Sequence, residues 1–183
     1  MKSFKLRTLV LALALSVPAI SASAQVIVGG APMYASKDII DNAVQSKDHT
    51  TLVAAVKAAD LVSTLKGAGP FTVFAPTNEA FAALPAGTVD TLLKPENKPM
   101  LAKILTYHVV SGRYDTVALK KQIAAGGGKA MLKTVEGEMI TVTSDGMRFV
   151  VTDEKGGTAH ITISDVIQSN GVILVIDKVL LPA

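Results

Sequence analysis

The sequence predicts an α+β domain with helices first and strands later. Three observations predict it. Up to about residue 107, apolar residues recur at three-four spacing in short runs. From Met131 onward, runs of Val, Ile, Thr and Phe are separated by Gly-containing turns. Between the early helical runs stands one strand, starting at Phe71, with three of the five Phe of the chain in the eleven residues 71–81. In a chain without Trp, that concentration of aromatic area marks a core nucleus.

Taken in order, the first helical pattern starts near Ser36. Ile39, Ile40, Ala43 and Val44 share a face, and Ser36 or Asp38 can cap it. A second helix follows Asp48-His49-Thr50, with Leu52, Val53, Val56 and Ala59 as its apolar side. A short third piece holds Leu61, Val62 and Leu65 and ends at Gly67, a natural left-handed position. Phe71, Val73 and Phe74 then give a buried strand that should stop by Ala75, because Pro76 has no amide to donate. Thr77 is a suitable N-cap for the helix that follows, and Glu79 suits its positive end.

Pro85-Ala86-Gly87 makes a turn before a short helix with Val89, Leu92 and Leu93. Leu101, Ile104 and Leu105 define another helix, which runs into β-favouring Tyr107-His108-Val109-Val110 and is broken by Ser111-Gly112. Gly126-Gly127-Gly128 reads as a loop apex. Residues 139–143 and 147–151 flank an Asp145-Gly146 hairpin signal. Residues 160–163 alternate. After the Ser169-Asn170-Gly171 turn, residues 172–176 are apolar on both faces, as in a central strand.

The first residues of the chain read as an address. Lys2, Lys5 and Arg7 precede an apolar run from Leu9 to Ile20, which is short for a membrane span, and Ala22-Ser23-Ala24 is a cleavage pattern. Residues 1–24 are therefore expected to be a signal peptide, residues 25–35 with Gly29-Gly30 a flexible leader, and residues 36–182 the folded domain. The signal has a bacterial form, so the protein is expected to be exported, periplasmic or extracellular, with no membrane span once cleaved. Losing a segment with three basic and no acidic residues takes 18 basic against 15 acidic residues to 15 of each. The working protein then has no net charge. With no basic stripe interleaved with aromatics, nucleic acid is not an expected partner. The absence of cysteine excludes disulfides, thiolate zinc sites and cysteine nucleophiles.

Three blocks now stand in sequence: residues 71–84, residues 104–112 with Tyr107-His108 at their centre, and residues 169–182. Together they resemble the fasciclin domain, with its first box, its Tyr-His motif and its second box, across nearly all of the chain from Ser36 to Pro182. The resemblance implies a β-sandwich-like wedge of two sheets with helices packed against it. It also implies a secreted or surface protein concerned with adhesion and matrix contact, not an enzyme. Two departures stand out. Leu174 occupies a place where the second box commonly carries histidine. Asp165-Val166 stands where animal members have an Asp-Ile pair linked to integrin binding.

Candidate interaction residues are thus Tyr107, His108, Asp165 and Val166. His108 reads either as an adhesion determinant or as a buried neutral histidine bonded to backbone. Asp165 reads either as a ligand-contacting carboxylate or as a cap of the turn before Val172. No catalytic, metal or cofactor residues are assigned. His49, His108 and His160 are scattered without ligand spacing, there is no Gly-x-Ser-x-Gly elbow, and Gly126–Lys129 lacks the context of a phosphate loop. The sequence supports two main functions. One is an exported adhesion module contacting a surface or matrix protein or polysaccharide. The other is a periplasmic binding protein for a small apolar or glycan-derived ligand. An envelope protein with no defined ligand is a third. Adhesion predicts an exposed apolar patch, and ligand binding predicts an enclosed pocket.

Overall fold

A computed structural model describes residues 25–183; the expected signal peptide lies outside the described residues. The chain runs β1 (Val26–Val28), β2 (Ala31–Met33), α1 (Ile39–Ala43), α2 (Thr50–Ala58), α3 (Val62–Leu65), β3 (Phe71–Pro76), α4 (Asn78–Ala82), α5 (Thr88–Leu92), α6 (Lys98–Tyr107), β4 (Val109–Ser111), α7 (Thr116–Ala125), β5 (Lys129–Lys133), β6 (Met139–Ser144), β7 (Phe149–Thr152), β8 (Thr158–Gln168) and β9 (Gly171–Ile176). This is the α+β order the sequence implies.

The main sheet has the order β4-β3-β9-β8-β7-β6-β5. Its two ends come back together: Val110 of β4 bridges Thr134 just past β5, and the Val135 amide donates to the Val109 carbonyl at 2.7 Å. The two sheets expected of the wedge are therefore two halves of one folded-over sheet. β9 is buried at every position and lies between β3, which it pairs in parallel, and β8. Gly171 is needed at its start, because a Cβ there would sit 2.1 Å from the Phe71 carbonyl oxygen.

Alternation along these central strands divides the interior in two. Val73, Ala75, Ile173 and Val175 face the helices and join Leu52, Val56 and Leu105. Phe74, Val172, Leu174 and Ile176 face into the wedge and join Ile140, Val142 and Val151. In β8 the faces switch part-way. Ile161 packs in the wedge while Ile163, of the same parity, packs toward the helices, with register shifts on both sides of Ile163.

Several caps match the sequence reading. Asp38 accepts from the Asp41 amide at 2.8 Å and Thr77 from the Ala80 amide at 3.3 Å. Elsewhere the structure departs from expectation. β3 runs through Pro76. The Phe74 amide points to the β4 side and the Thr77 amide to β9, so the donor that Pro76 lacks would face the β4 side, where pairing has ended at Val73. Gly67 does not adopt the left-handed conformation expected after α3. The stretch expected as a flexible leader is the β1–β2 hairpin. Val28 and Met33 are buried in the helix-side core, so burial of apolar side chains holds it. Helix α7 was not anticipated. Asp115 caps it by accepting from the Ala118 amide at 2.8 Å, and Leu119 is fully buried.

Candidate interaction surface

The residues singled out by sequence fall into two places. Tyr107 and His108 end α6, between the two cores. The Tyr107 side chain is wholly buried; its hydroxyl donates to the Met139 carbonyl at 3.2 Å and accepts from the Glu154 amide at 3.1 Å. Burial pushes its pKa up to about 12. His108 is enclosed as well. Nδ1 sits 2.8 Å from the Ile104 carbonyl, and Nε2 accepts from the Leu180 amide at 3.0 Å. An amide donor on Nε2 requires the tautomer protonated at Nδ1, so the ring is neutral. Burial pushes its pKa down to about 4, against the smaller opposing pull of the Ile104 carbonyl and Asp153. Neither side chain reaches the surface.

Asp165 and Val166 lie in the irregular part of β8, not in a turn: the strand continues to Gln168. Asp165 has a left-handed backbone, φ 56°, which aspartate tolerates better than most residues. Both its carboxylate oxygens are engaged by Thr116, one by the amide at 2.7 Å and one by the hydroxyl. It therefore closes the first turn of α7. Val166 is fully buried in the helix-side core.

Buried amides that the sequence reading passed over organise the junction of hairpin, helices and sheet. Asn170 accepts from the Ile39 amide at 3.1 Å and donates to the carbonyls of Leu65, at 2.8 Å, and Gly67. It holds the start of α1 and the end of α3 to the β8–β9 turn. Asn42 bonds both backbone groups of Tyr34 and the Gln168 side chain. The Asn-Gly dipeptide signals the turn, but nothing local signals the partners of Asn170, which are more than a hundred residues away.

Two depressions differ in kind. The helix-side core encloses an apolar hole of about 40 Å3, bordered by Val56, Val73, Val166 and the two buried histidines. His49 borders it with Ser46 Oγ at 2.9 Å from Nδ1; Nε2 makes no hydrogen bond of normal geometry, though the Ala75 carbonyl lies near, and burial lowers its pKa. The other is an open groove of about 620 Å3. Its walls are Thr116 and Lys120 of α7, Ser144 and Gly146 to Phe149 of the β6–β7 hairpin, and His160 to Thr162 and Ser164 of β8. Asp177 closes one end, accepting from the His160 amide at 2.7 Å and pairing with its ring at 3.1 Å.

This sheet, its helix cap and its buried Tyr-His pair define a fasciclin domain, and the comparisons agree. The Fasciclin domain family model matches residues 47–182, and the chain belongs to that family. It is 46% identical over 158 residues to Protein sll1483 of Synechocystis, covering 85% of this chain and 79% of that one. It is 38% identical to the Immunogenic protein MPB70 of Mycobacterium bovis, over 73% of this chain and 63% of that protein. It is 40% identical to the Transforming growth factor-beta-induced protein ig-h3 of Sus scrofa, over 72% of this chain but 17% of that protein. Among solved structures, a FAS1 domain pair from the insect cell adhesion molecule fasciclin I superposes with a TM-score of 0.71 at 20% identity. That match covers 79% of this chain and 51% of that one, and it speaks for the fold.

Proposed function

We propose that the chain is an exported interaction module, acting without chemistry of its own by surface contact with a protein or glycan at the cell surface or in the matrix. Family membership supports the reading, since one structural relative is part of a cell adhesion molecule. The observation that carries it is the contrast between the depressions. The enclosed hole, at about 40 Å3, is far below the roughly 300–1,000 Å3 of sites that engulf a small ligand. The roomy groove is open to large partners. For the alternative, a periplasmic binding protein for a small apolar or glycan-derived ligand, that contrast weighs against the apolar ligand and favours surface contact. No helix among the described residues is long and apolar enough to cross a membrane.

The test is retention of the exported protein on panels of immobilised matrix proteins and polysaccharides. Saturable retention on at least one macromolecule is expected. Retention on none, with thermal stabilisation by small apolar compounds, overturns the reading.

A further inference from the structure

We infer that the groove between α7 and the β6–β7 hairpin is a site for an acidic oligosaccharide, one bearing uronic or sulfated sugars. The inference rests on the surface-contact reading and names the chemistry of its partner. Lys120 and Arg148 approach the groove from two elements with no local sequence relation, and both are exposed. Neither is in an ion pair among the described residues, whereas Lys66, Lys98 and Lys103 each have a carboxylate partner.

The carboxylates around the groove keep their charge, but their oxygens are held by hydrogen bonds. Asp145 accepts from the amides of Met147 at 3.0 Å and Arg148 at 2.7 Å, Asp165 is taken by Thr116, and Asp177 by His160. Lys120 and Arg148 line the groove beside Asp177, with Arg148 near enough to Asp145 to help hold that carboxyl below its usual range, and neither cation is locked in a close ion pair, so both side chains can turn to a guest. A guanidinium can hold a carboxylate or sulfate through two parallel hydrogen bonds, and the ammonium adds a second, compact charge.

The rest of the lining suits a sugar better than a bare polyanion. Hydroxyls of Thr116, Ser144, Thr162 and Ser164 border the groove. Some retain acceptor and others donor capacity: the Thr116 hydroxyl donates to Asp165, so its lone pairs are free, while Ser144 Oγ accepts from the Gly146 amide and keeps its proton. Sugar hydroxyls need both. Met147 stands at the rim, 95% exposed, and offers apolar surface to the C–H face of a pyranose ring.

The experiment titrates the exported protein with oligogalacturonate and, in parallel, with the same oligomer fully methyl-esterified. Binding of the acid form alone is expected, weakening as salt screens the exposed charges. Lys120→Glu and Arg148→Glu should each weaken it by about tenfold or more, with Arg148→Gln intermediate. Lys133→Glu, on β5 outside the groove, should leave it unchanged. All three positions are exposed, and circular dichroism checks that each variant is folded. Equal binding of the methyl ester overturns the inference, as does equal binding of polyglutamate of matched charge or indifference to both groove substitutions. A protein that adheres to immobilised matrix proteins but ignores oligogalacturonate refutes the groove site and leaves the surface-contact reading standing. One that adheres to no macromolecule refutes both.

Discussion

Val172, Leu174 and Ile176 look into the wedge, while Ile173 and Val175 of the same strand look toward the helices. The wedge interior is filled by long strands whose side chains alternate in register, and Phe74, Ile140, Val142, Val151 and Leu174 are at most a fraction of a per cent exposed. The helix-side interior is covered by short helices of four to ten residues, and it holds a hole of about 40 Å3 together with His49 and His108. Regular alternation over five- and six-residue strands lets facing side chains interdigitate to crystal-like density. Several short helices meeting at different angles leave gaps. The same strand thus supports one dense interior and one forgiving one.

The largest test of that difference is truncation. Leu174→Ala should cost about 4 kcal/mol, near the upper part of the range for buried leucines, while Leu52→Ala beside the existing hole should cost about 2 kcal/mol. Urea unfolding at neutral pH measures both, and equal costs would break the comparison.

The next test is acid. His108 in the folded state titrates at about 4, below its ordinary 6.5, so the unfolded chain binds the extra proton first as pH falls. Its contribution is fully present above about pH 6.5, declines between 6.5 and 4, and is lost below 4. From the two pKa values the loss is on the order of 3 kcal/mol. His49, shifted in the same direction by burial, adds to the decline. In His108→Gln the slope of stability between pH 6.5 and 4 should flatten; an unchanged slope would assign the acid sensitivity elsewhere.

The smallest effect sharpens the comparison most. Val142→Ile adds a methylene to the wedge and should destabilise by about 1 kcal/mol or more, whereas Val56→Ile, at the hole, should be neutral or stabilise by about 0.5 kcal/mol. Opposite signs in paired denaturation curves are expected, and like signs would show the hole to be unfillable.

Much of the fold was legible because it is local. Thr77 caps within three residues, Asp145-Gly146 turns a hairpin on its own backbone, and residues 172–176 declare a strand buried on both faces by composition alone. What was not legible has physical reasons. Helix α7 fully buries only Leu119, with Ile123 partly covered, so its apolar stripe is faint; the Asp115 cap and the four-residue spacing of Leu119 and Ile123 were its available signal. The β1–β2 hairpin reads as linker because Gly29-Gly30 signals flexibility, and only the cavity it covers gives Val28 and Met33 a place. β8 reads as ending near Ile163 because Asp165 looks like a turn residue, whereas its partner Thr116 lies 49 positions away.

Sequence alone determined the α+β order, the central strand and the lack of disulfide chemistry, since each rests on residue type and short spacing, and it pointed to the family through the resemblance of three blocks. Tertiary structure decided which of the residues singled out by sequence could meet a partner. It buried Tyr107, His108 and Val166, tied Asp165 to α7, and brought Lys120, Arg148 and the hydroxyls of three separate elements to one groove. Periodicity specifies which face of an element is apolar, but only packing specifies which surfaces remain after the apolar faces have been covered.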